Sequence, residues 1–408
     1  MYKRAAQVFA TRGWNRRDTA VRPFPKREAV TKGPPRLINP RSAVYNVALG
    51  TYLAPIEKLV YKRLTAACTA LGAVGPVVAK GMNAETLAAV MRGKTEPFAS
   101  PAFVGLDASR FDQHISRQAL EFEHSILLDY YPGDAELAAL LRAQLRNEGT
   151  GYTRDGKCGY SVDGVRMSGD FNTSLGNCTL MVLMVLQCLI DCGITHADLI
   201  NNGDDVVVIL ERADEARFVP EVQPFFGKLG FDMAVEPTVY DLRQAEFCQM
   251  RYMRVNDRET MVRNPVRAVA KDTVFLHNMR SERVARTIIN AKGVAGMSLY
   301  GDVPVLSALY SSMAAVEPHI RPVARERQYG GLEYWARGAK LKQRTITAAA
   351  RVEFWECFGI TPDHQELLEH ILSRPFPLQA RPTFSQTAHS NPAITETSPY
   401  ALLLKPYR

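Results

Sequence analysis

Apolar positions along this chain change their period several times, and each change marks an element. Between residues 42 and 100, Leu53, Ile56, Val60 and Leu64 recur at the spacing of one helix face, predicting a mainly helical stretch. Ala-Phe-Val-Gly-Leu-Asp then reads as a strand ending at Asp107. A helix from about Ser116 to Tyr131 follows, stopped by Pro132-Gly133. The glycine-rich stretch 150–168 is expected to be hairpin-like, and Phe171 to Cys192 reads as a long apolar helix. Residues 199–210 read as strand, tight turn and strand, because Asn-Gly-Asp punctuates two β-prone runs. Helix returns over 214–230, strands are expected at 231–236, 245–253 and 260–263, and beyond about residue 266 the pattern is helical and basic. Residues 23–41 hold five prolines and read as extended, cation-bearing backbone; 381–408, rich in Ser, Thr and Pro, reads as a flexible tail. Helices and strands alternate without regular βα periodicity, so the expected class is α+β.

Composition narrows the picture. Hydrophobic residues make up 46% and charged residues 23% of 408, too apolar for wholesale disorder. Seven scattered cysteines, odd in number and without paired spacing, point to free thiols in a reducing compartment. The longest apolar run, Leu180 to Leu186, falls far short of the roughly 20 residues of a membrane helix, so no span is expected. The Arg-rich N-terminus resembles a mitochondrial presequence but lacks serine, and its basic character continues to Arg41. It is therefore assigned to the folded protein. Charge is unevenly distributed. Residues 1–100 carry 17 Lys/Arg against 5 Asp/Glu, 101–250 carry 11 against 23, and 251–408 carry 22 against 14. Basic flanks suit a polyanion; the acidic middle needs another reason to exist.

Three blocks in that middle supply one: Asp107-Ala-Ser-Arg-Phe-Asp112 at a strand end, Ser168 to Asn177 running into a helix, and Gly203-Asp204-Asp205 at the tip of the expected hairpin. Taken singly they are a solvated acidic pair, a helix cap and a turn. Taken together, carboxylates at a strand end and a hairpin tip converge on hard cations. Mg²⁺ accepts few carboxylates beside waters and substrate phosphates, and paired ions suit in-line phosphoryl transfer. Asp107 and Asp204 are the expected principal ligands, with Asp205 in support.

GLDASRFDQ, RMSGDFNTSLGN and NNGDD, in this order, resemble motifs A, B and C of viral RNA-dependent RNA polymerases, nearest to those of tombusvirus-type plus-strand RNA viruses. PRLINPRS resembles basic motif F, AKGMN a segment carried before motif A, and EFCQM motif E, with MVRNP following as it does in that group. The likeness runs from about residue 23 to 272. It implies a right-hand polymerase: fingers at 1–100, a palm at 101–265 with an inserted fingers segment at about 113–165, and a thumb at 266–380. It also implies two Mg²⁺ ions, with Mn²⁺ as a substitute, held by Asp107, Asp204 and Asp205.

Further roles are implied by the same likeness. Asp112, Thr173 and Asn177 would read the ribose, the last two sharing a helix face. Ser168 and Gly169 would form a template-side loop. Lys26, Arg27, Lys32, Arg36 and Arg41 would line the nucleotide tunnel, with Arg36 the best candidate for the triphosphate. Phe247, Cys248 and Gln249 fall in the primer-grip region. Expected partners are an RNA template and product duplex, ribonucleoside triphosphates, another viral replicase protein and host factors. The expected location is the host cytoplasm, in a replication complex bound to membrane through another segment or protein. Two departures stand out: Ala234 occupies a motif D position where related enzymes often have lysine, and only 22 residues precede Pro23, so Met1 is read as an internal boundary of a longer replicase. A reverse transcriptase would show a bulky aromatic at Asp112 and Tyr-x-Asp-Asp at motif C. An inactive RNA-binding scaffold would have no need of clustered carboxylates.

Overall fold

The computed structural model describes residues 1–26, 36–153, 155–273, 282–316, 332–339 and 345–375. They form two compact units, one of residues 1–80 with 93–240, the other of 81–92 with 241 onward. The first unit holds the hairpin and the sheet together with residues 1–80.

At the centre of the first unit is a four-stranded antiparallel sheet in the order Ala197–Asn201, Asp205–Glu211, Pro101–Ser109, Asp232–Val235. Strand Asp205–Glu211 is buried from Val206 to Leu210, which explains why its sequence is continuously apolar and does not alternate. Helix Thr173–Asp191 packs on helices Ala43–Cys68 and Glu215–Lys228, and Leu53, Ile56, Val60 and Leu64 all point into one core with Val182, Val185 and Leu189. Helix Thr173–Asp191 is long and apolar enough to cross a membrane by length and composition, which the expectation of no span did not foresee. Most of it is buried against these neighbours, including the polar Asn177 and Thr179, as befits a core helix. The hairpin expected at 150–168 is present as strands Arg146–Thr153 and Gly156–Asp163. Helices that were not foreseen among the described residues include Tyr2–Arg12 and Ala135–Arg142. The second is short and capped by Asp134, whose side chain accepts from Leu137 N.

The second unit has a three-stranded antiparallel sheet from Glu246–Phe247, Met250–Val255 and Arg258–Arg263. Helices follow, among them Glu282–Tyr300 and Leu306–Ala314. These two approach closely because Gly293 and Gly296 leave room: a Cβ on Gly296 would overlap the Tyr310 ring. Asp272 is the buried hub here, paired with Arg263 (2.7 Å) and accepting from Tyr310 Oη (2.7 Å). Burial in this cluster pulls the Lys292 ammonium down to about 8. Among the described residues of 266–380 the regular elements are helices. The flexible-tail expectation at 381–408 lies outside the described residues.

Candidate active site

Strand pairing brings the acidic blocks together. Pro101–Ser109 runs antiparallel to Asp205–Glu211 in a register that sets Asp107 directly opposite Asp205. Residues paired this way have Cβ atoms about 4.5–5.5 Å apart, so two carboxylates share one face of the two central strands, with Asp204 beside them in the turn. Asp107 and Asp204 are exposed and Asp205 is half-buried. The turn is made by Gly203 at φ 101°, a conformation open to glycine, and is sewn by the buried Asn201. Asn201 Nδ2 donates to the Gly203 carbonyl (2.8 Å), its Oδ1 accepts from Gly203 N (3.1 Å), and Asn202 N donates to the Asp205 carbonyl (2.9 Å). Residues 77–80 extend the sheet beside Asn201, through Asn201 N to Val77 O and Ala79 N to Asn201 O, and so carry Lys80 to the same turn. Lys80 Nζ donates to the Asn202 carbonyl at 3.3 Å. Neither Asn201 nor Lys80 was singled out in the sequence, although both lie inside segments that were. Among the described residues no three His, Cys, Asp or Glu side chains converge as a ready-made metal cage. Carboxylate oxygens without nitrogen or sulfur are nonetheless a donor set for a hard cation that completes its shell with water and phosphate.

Next to the acids, Asn177 Nδ2 donates to Asp112 Oδ1 at 2.7 Å. Asn177 Oδ1 is buried and has no hydrogen-bond partner among the described residues, so the pair holds an unused acceptor. Burial raises the Asp112 carboxyl; the Asn177 bond and the charge of Arg166 oppose that, and Asp204 adds to it. Thr173 shares the helix, but its hydroxyl turns back to the carbonyls of Asp170 (2.8 Å) and Met167 (3.2 Å). A buried network stands behind this region. Arg166 pairs with Glu123, which accepts from Asn172 Nδ2 (2.9 Å), and Gly176 lies against the Glu123 carboxylate where no side chain would fit.

The basic residues divide. Lys26 and Arg36 are exposed at a two-strand ladder, Phe24–Pro25 with Leu37–Ile38, closed by Lys26 N to Arg36 O (2.8 Å). Arg27 and Lys32 lie outside the described residues. Arg41 is buried, unlike Lys26 and Arg36. It is 5% exposed; its Nε pairs with Asp170 (3.0 Å), and its other nitrogens donate to the Thr19 carbonyl (2.6 Å) and to Asn147 Oδ1. Each of its three nitrogens thus has a partner inside the protein. Arg36→Ala is expected to raise the KM for nucleotide by about 10- to 100-fold, the worth of a charge-assisted bond, with RNA affinity unchanged. Nucleotide titration and RNA binding measured side by side check this; weaker RNA binding alone would place Arg36 elsewhere.

Complete burial pushes the Asp170 carboxyl up to about 6, against the pull of Arg41 and Arg166 and with a further push from Glu123; Tyr45 lies in its field too. Above that value Asp170 is ionised and pairs with Arg41. Below it the proton leaves a buried guanidinium without its counter-charge. Nucleotide KM should therefore rise as pH falls through about 6. An Asp170→Asn variant should have a high KM at all pH and lack that step. A step of the same size in both proteins would assign the titration to another group.

The primer-grip residues Phe247, Cys248 and Gln249 belong to the second unit. Phe247 is wholly buried there, so it anchors the strand, while Cys248 and Gln249 form its turn with φ of 53° and 62°. Gln249 Oε1 accepts from Lys271 Nζ (2.9 Å). Ala234 pairs with Asp107 on the sheet, and Lys228 is the last residue of helix Glu215–Lys228.

This geometry agrees with what the chain is similar to. A profile of the family described as "Viral RNA dependent RNA polymerase" matches residues 1–375. The RNA-directed RNA polymerase of Melon necrotic spot virus is 36% identical over 386 residues, covering 90% of this chain and 47% of its own length. That of Tobacco necrosis virus (strain A) is 38% identical over 375 residues, covering 90% and 51%. That of Cucumber necrosis virus is 37% identical over 380 residues, covering 91% and 45%. The chain thus spans about half the length of these relatives. The likeness read from motifs A, B, C, E and F holds across nearly the whole sequence, and the chain belongs to the viral RNA-dependent RNA polymerase family.

Proposed function

We propose that this chain synthesises RNA on an RNA template. The 3′-hydroxyl of the growing strand attacks the α-phosphorus of a ribonucleoside triphosphate, the new phosphodiester forms, and the bond to pyrophosphate breaks. The observation that carries this reading is the juxtaposition of Asp107 and Asp205 across one strand pair, Asp204 in the adjoining turn, and the Asp112–Asn177 pair beside them. Asp107, Asp204 and Asp205 would hold two Mg²⁺, or Mn²⁺ in substitution, and such ions when bound neutralise charge on the attacking and leaving oxygens. Asp112 with Asn177 receives the ribose 2′-hydroxyl, Thr173 lies one turn earlier on the same helix, Ser168 and Gly169 border the template, and Arg36 with Lys26 meets the triphosphate. The names fingers, palm and thumb for 1–100, 101–265 and 266–380 belong to this reading, which family membership supports. So do a product duplex, another replicase protein and host factors as partners, and a membrane-bound cytoplasmic replication complex as the location. Purified protein given an RNA template, four ribonucleotides and Mg²⁺ or Mn²⁺ should yield labelled RNA complementary to the template. Product that survives omission of the template would argue against templated synthesis.

A further inference from the structure

The Ser168–Gly169 loop is gripped by one short stretch of chain before the sheet begins. Asn39 N donates to Ser168 Oγ (3.3 Å), and Pro40 packs so tightly on Gly169 that a Cβ there would lie 2.5 Å from Pro40 Cα. Arg41 holds Asp170. Asn46 then binds the backbone on both sides of Asp170: its Nδ2 donates to the Gly169 carbonyl (3.1 Å) and its Oδ1 accepts from Phe171 N (2.8 Å). Gly50 leaves room for the Phe171 ring. Asn46 sits on the buried side of helix Ala43–Cys68, 5% exposed, between the buried Tyr45 and Leu49.

Such a position ordinarily takes an apolar residue, because a buried amide is costly unless its hydrogen bonds are made. Here both ends of the amide are spent on one loop, two residues before helix Thr173–Asp191 begins. We propose that Asn46 is a positioning residue of the nucleotide site: its amide locks the Gly169–Phe171 backbone and so fixes Asn177 relative to the strand that carries Arg36. The proposal rests on the polymerase reading of that site. Its chemistry is a matter of geometry: Asn46 touches no reactant, yet it sets the register between the segment meeting the triphosphate and the helix reading the ribose.

Two variants and two measurements test it. In Asn46→Ala both bonds are lost. Asn46→Asp keeps an acceptor for Phe171 N but turns a carboxylate oxygen on the Gly169 carbonyl. Both should raise nucleotide KM about tenfold or more with kcat changed less than about threefold, the signature of lost ground-state placement. Amide exchange, measured without RNA or nucleotide, should quicken at residues 169–171 while strand Asp205–Glu211 keeps its protection. The proposal is overturned if KM stays within about twofold of wild type in both variants, or if exchange rises equally in the sheet, which marks general destabilisation. The two readings separate cleanly. A loosened loop in a protein that makes no RNA retains the clip and sinks the polymerase, whereas active wild type with an unaltered Asn46→Ala does the reverse.

Discussion

Asp204→Ala is expected to lower RNA synthesis by about 10³-fold or more while leaving RNA affinity within a factor of about two, since metal-held charge contributes several kcal/mol and each 1.4 kcal/mol is tenfold. The two halves of this expectation come from different parts of the chain. Asp204 stands exposed in a turn whose backbone is fixed by Asn201, so truncation removes a carboxylate and leaves the turn in place. RNA affinity is expected to rest on cations, 17 of which precede residue 100 against 5 acids. The fold should not suffer. Removing one of several neighbouring carboxylates relieves repulsion in the metal-free protein, so its Tm should stay level or rise. Primer extension, a salt-dependent RNA-binding curve and a thermal melt distinguish the cases. Synthesis at the wild-type rate would remove Asp204 from the site, and a lowered Tm would mean that its role is structural.

How much of this was legible in the sequence depended on the range of the interaction. The sheet strands, the long apolar helix and the Asn-Gly-Asp turn were readable because their signals are local: periodicity, apolar runs and turn chemistry within a dozen residues. That a strand end and a hairpin tip would bring acids together was readable, but the register that sets Asp107 opposite Asp205 was not, since it depends on pairing across about a hundred residues. Arg41 shows where such reading stops. Its position in a basic, proline-rich stretch suggests a surface role, but its partners Asn147 and Asp170 lie 106 and 129 residues away in the chain. Nothing local announces them. Asn46 is an intermediate case. A polar residue on a face otherwise made of Tyr45, Leu49 and Leu53 is an anomaly visible in the sequence, though not the loop it serves. Helix Ala135–Arg142 escaped because eight residues hold too few turns for periodicity to show.

Asp112→Ala carries the second large effect, on choice of sugar. A ribonucleotide differs from its deoxy counterpart by one hydroxyl, and a site built to bond a hydroxyl rejects the analogue lacking it because its own buried polar atoms are then stranded. The Asp112–Asn177 pair has that character. One carboxylate oxygen is taken by Asn177 Nδ2, and the Asn177 carbonyl oxygen is buried without a partner among the described residues. A ribose hydroxyl entering there would donate its one proton to the Asn177 carbonyl oxygen and leave the Asn177–Asp112 bond in place. Loss of the carboxylate also frees Asn177 Nδ2, so the amide can rotate and the acceptor is no longer aimed. The ratio of kcat/KM for ribo- over deoxyribonucleotides should fall by about 10² or more. The fall should come almost wholly from the ribonucleotide, since the deoxy substrate never had the bond to lose. Asp112→Asn should fall between the two proteins, because an amide keeps one acceptor oxygen but offers Asn177 no charge. Single-nucleotide incorporation with matched ribo- and deoxyribonucleoside triphosphates measures this directly. An equal loss for both sugars would move Asp112 out of ribose recognition and into the support of Asp204, whose charge already acts on it.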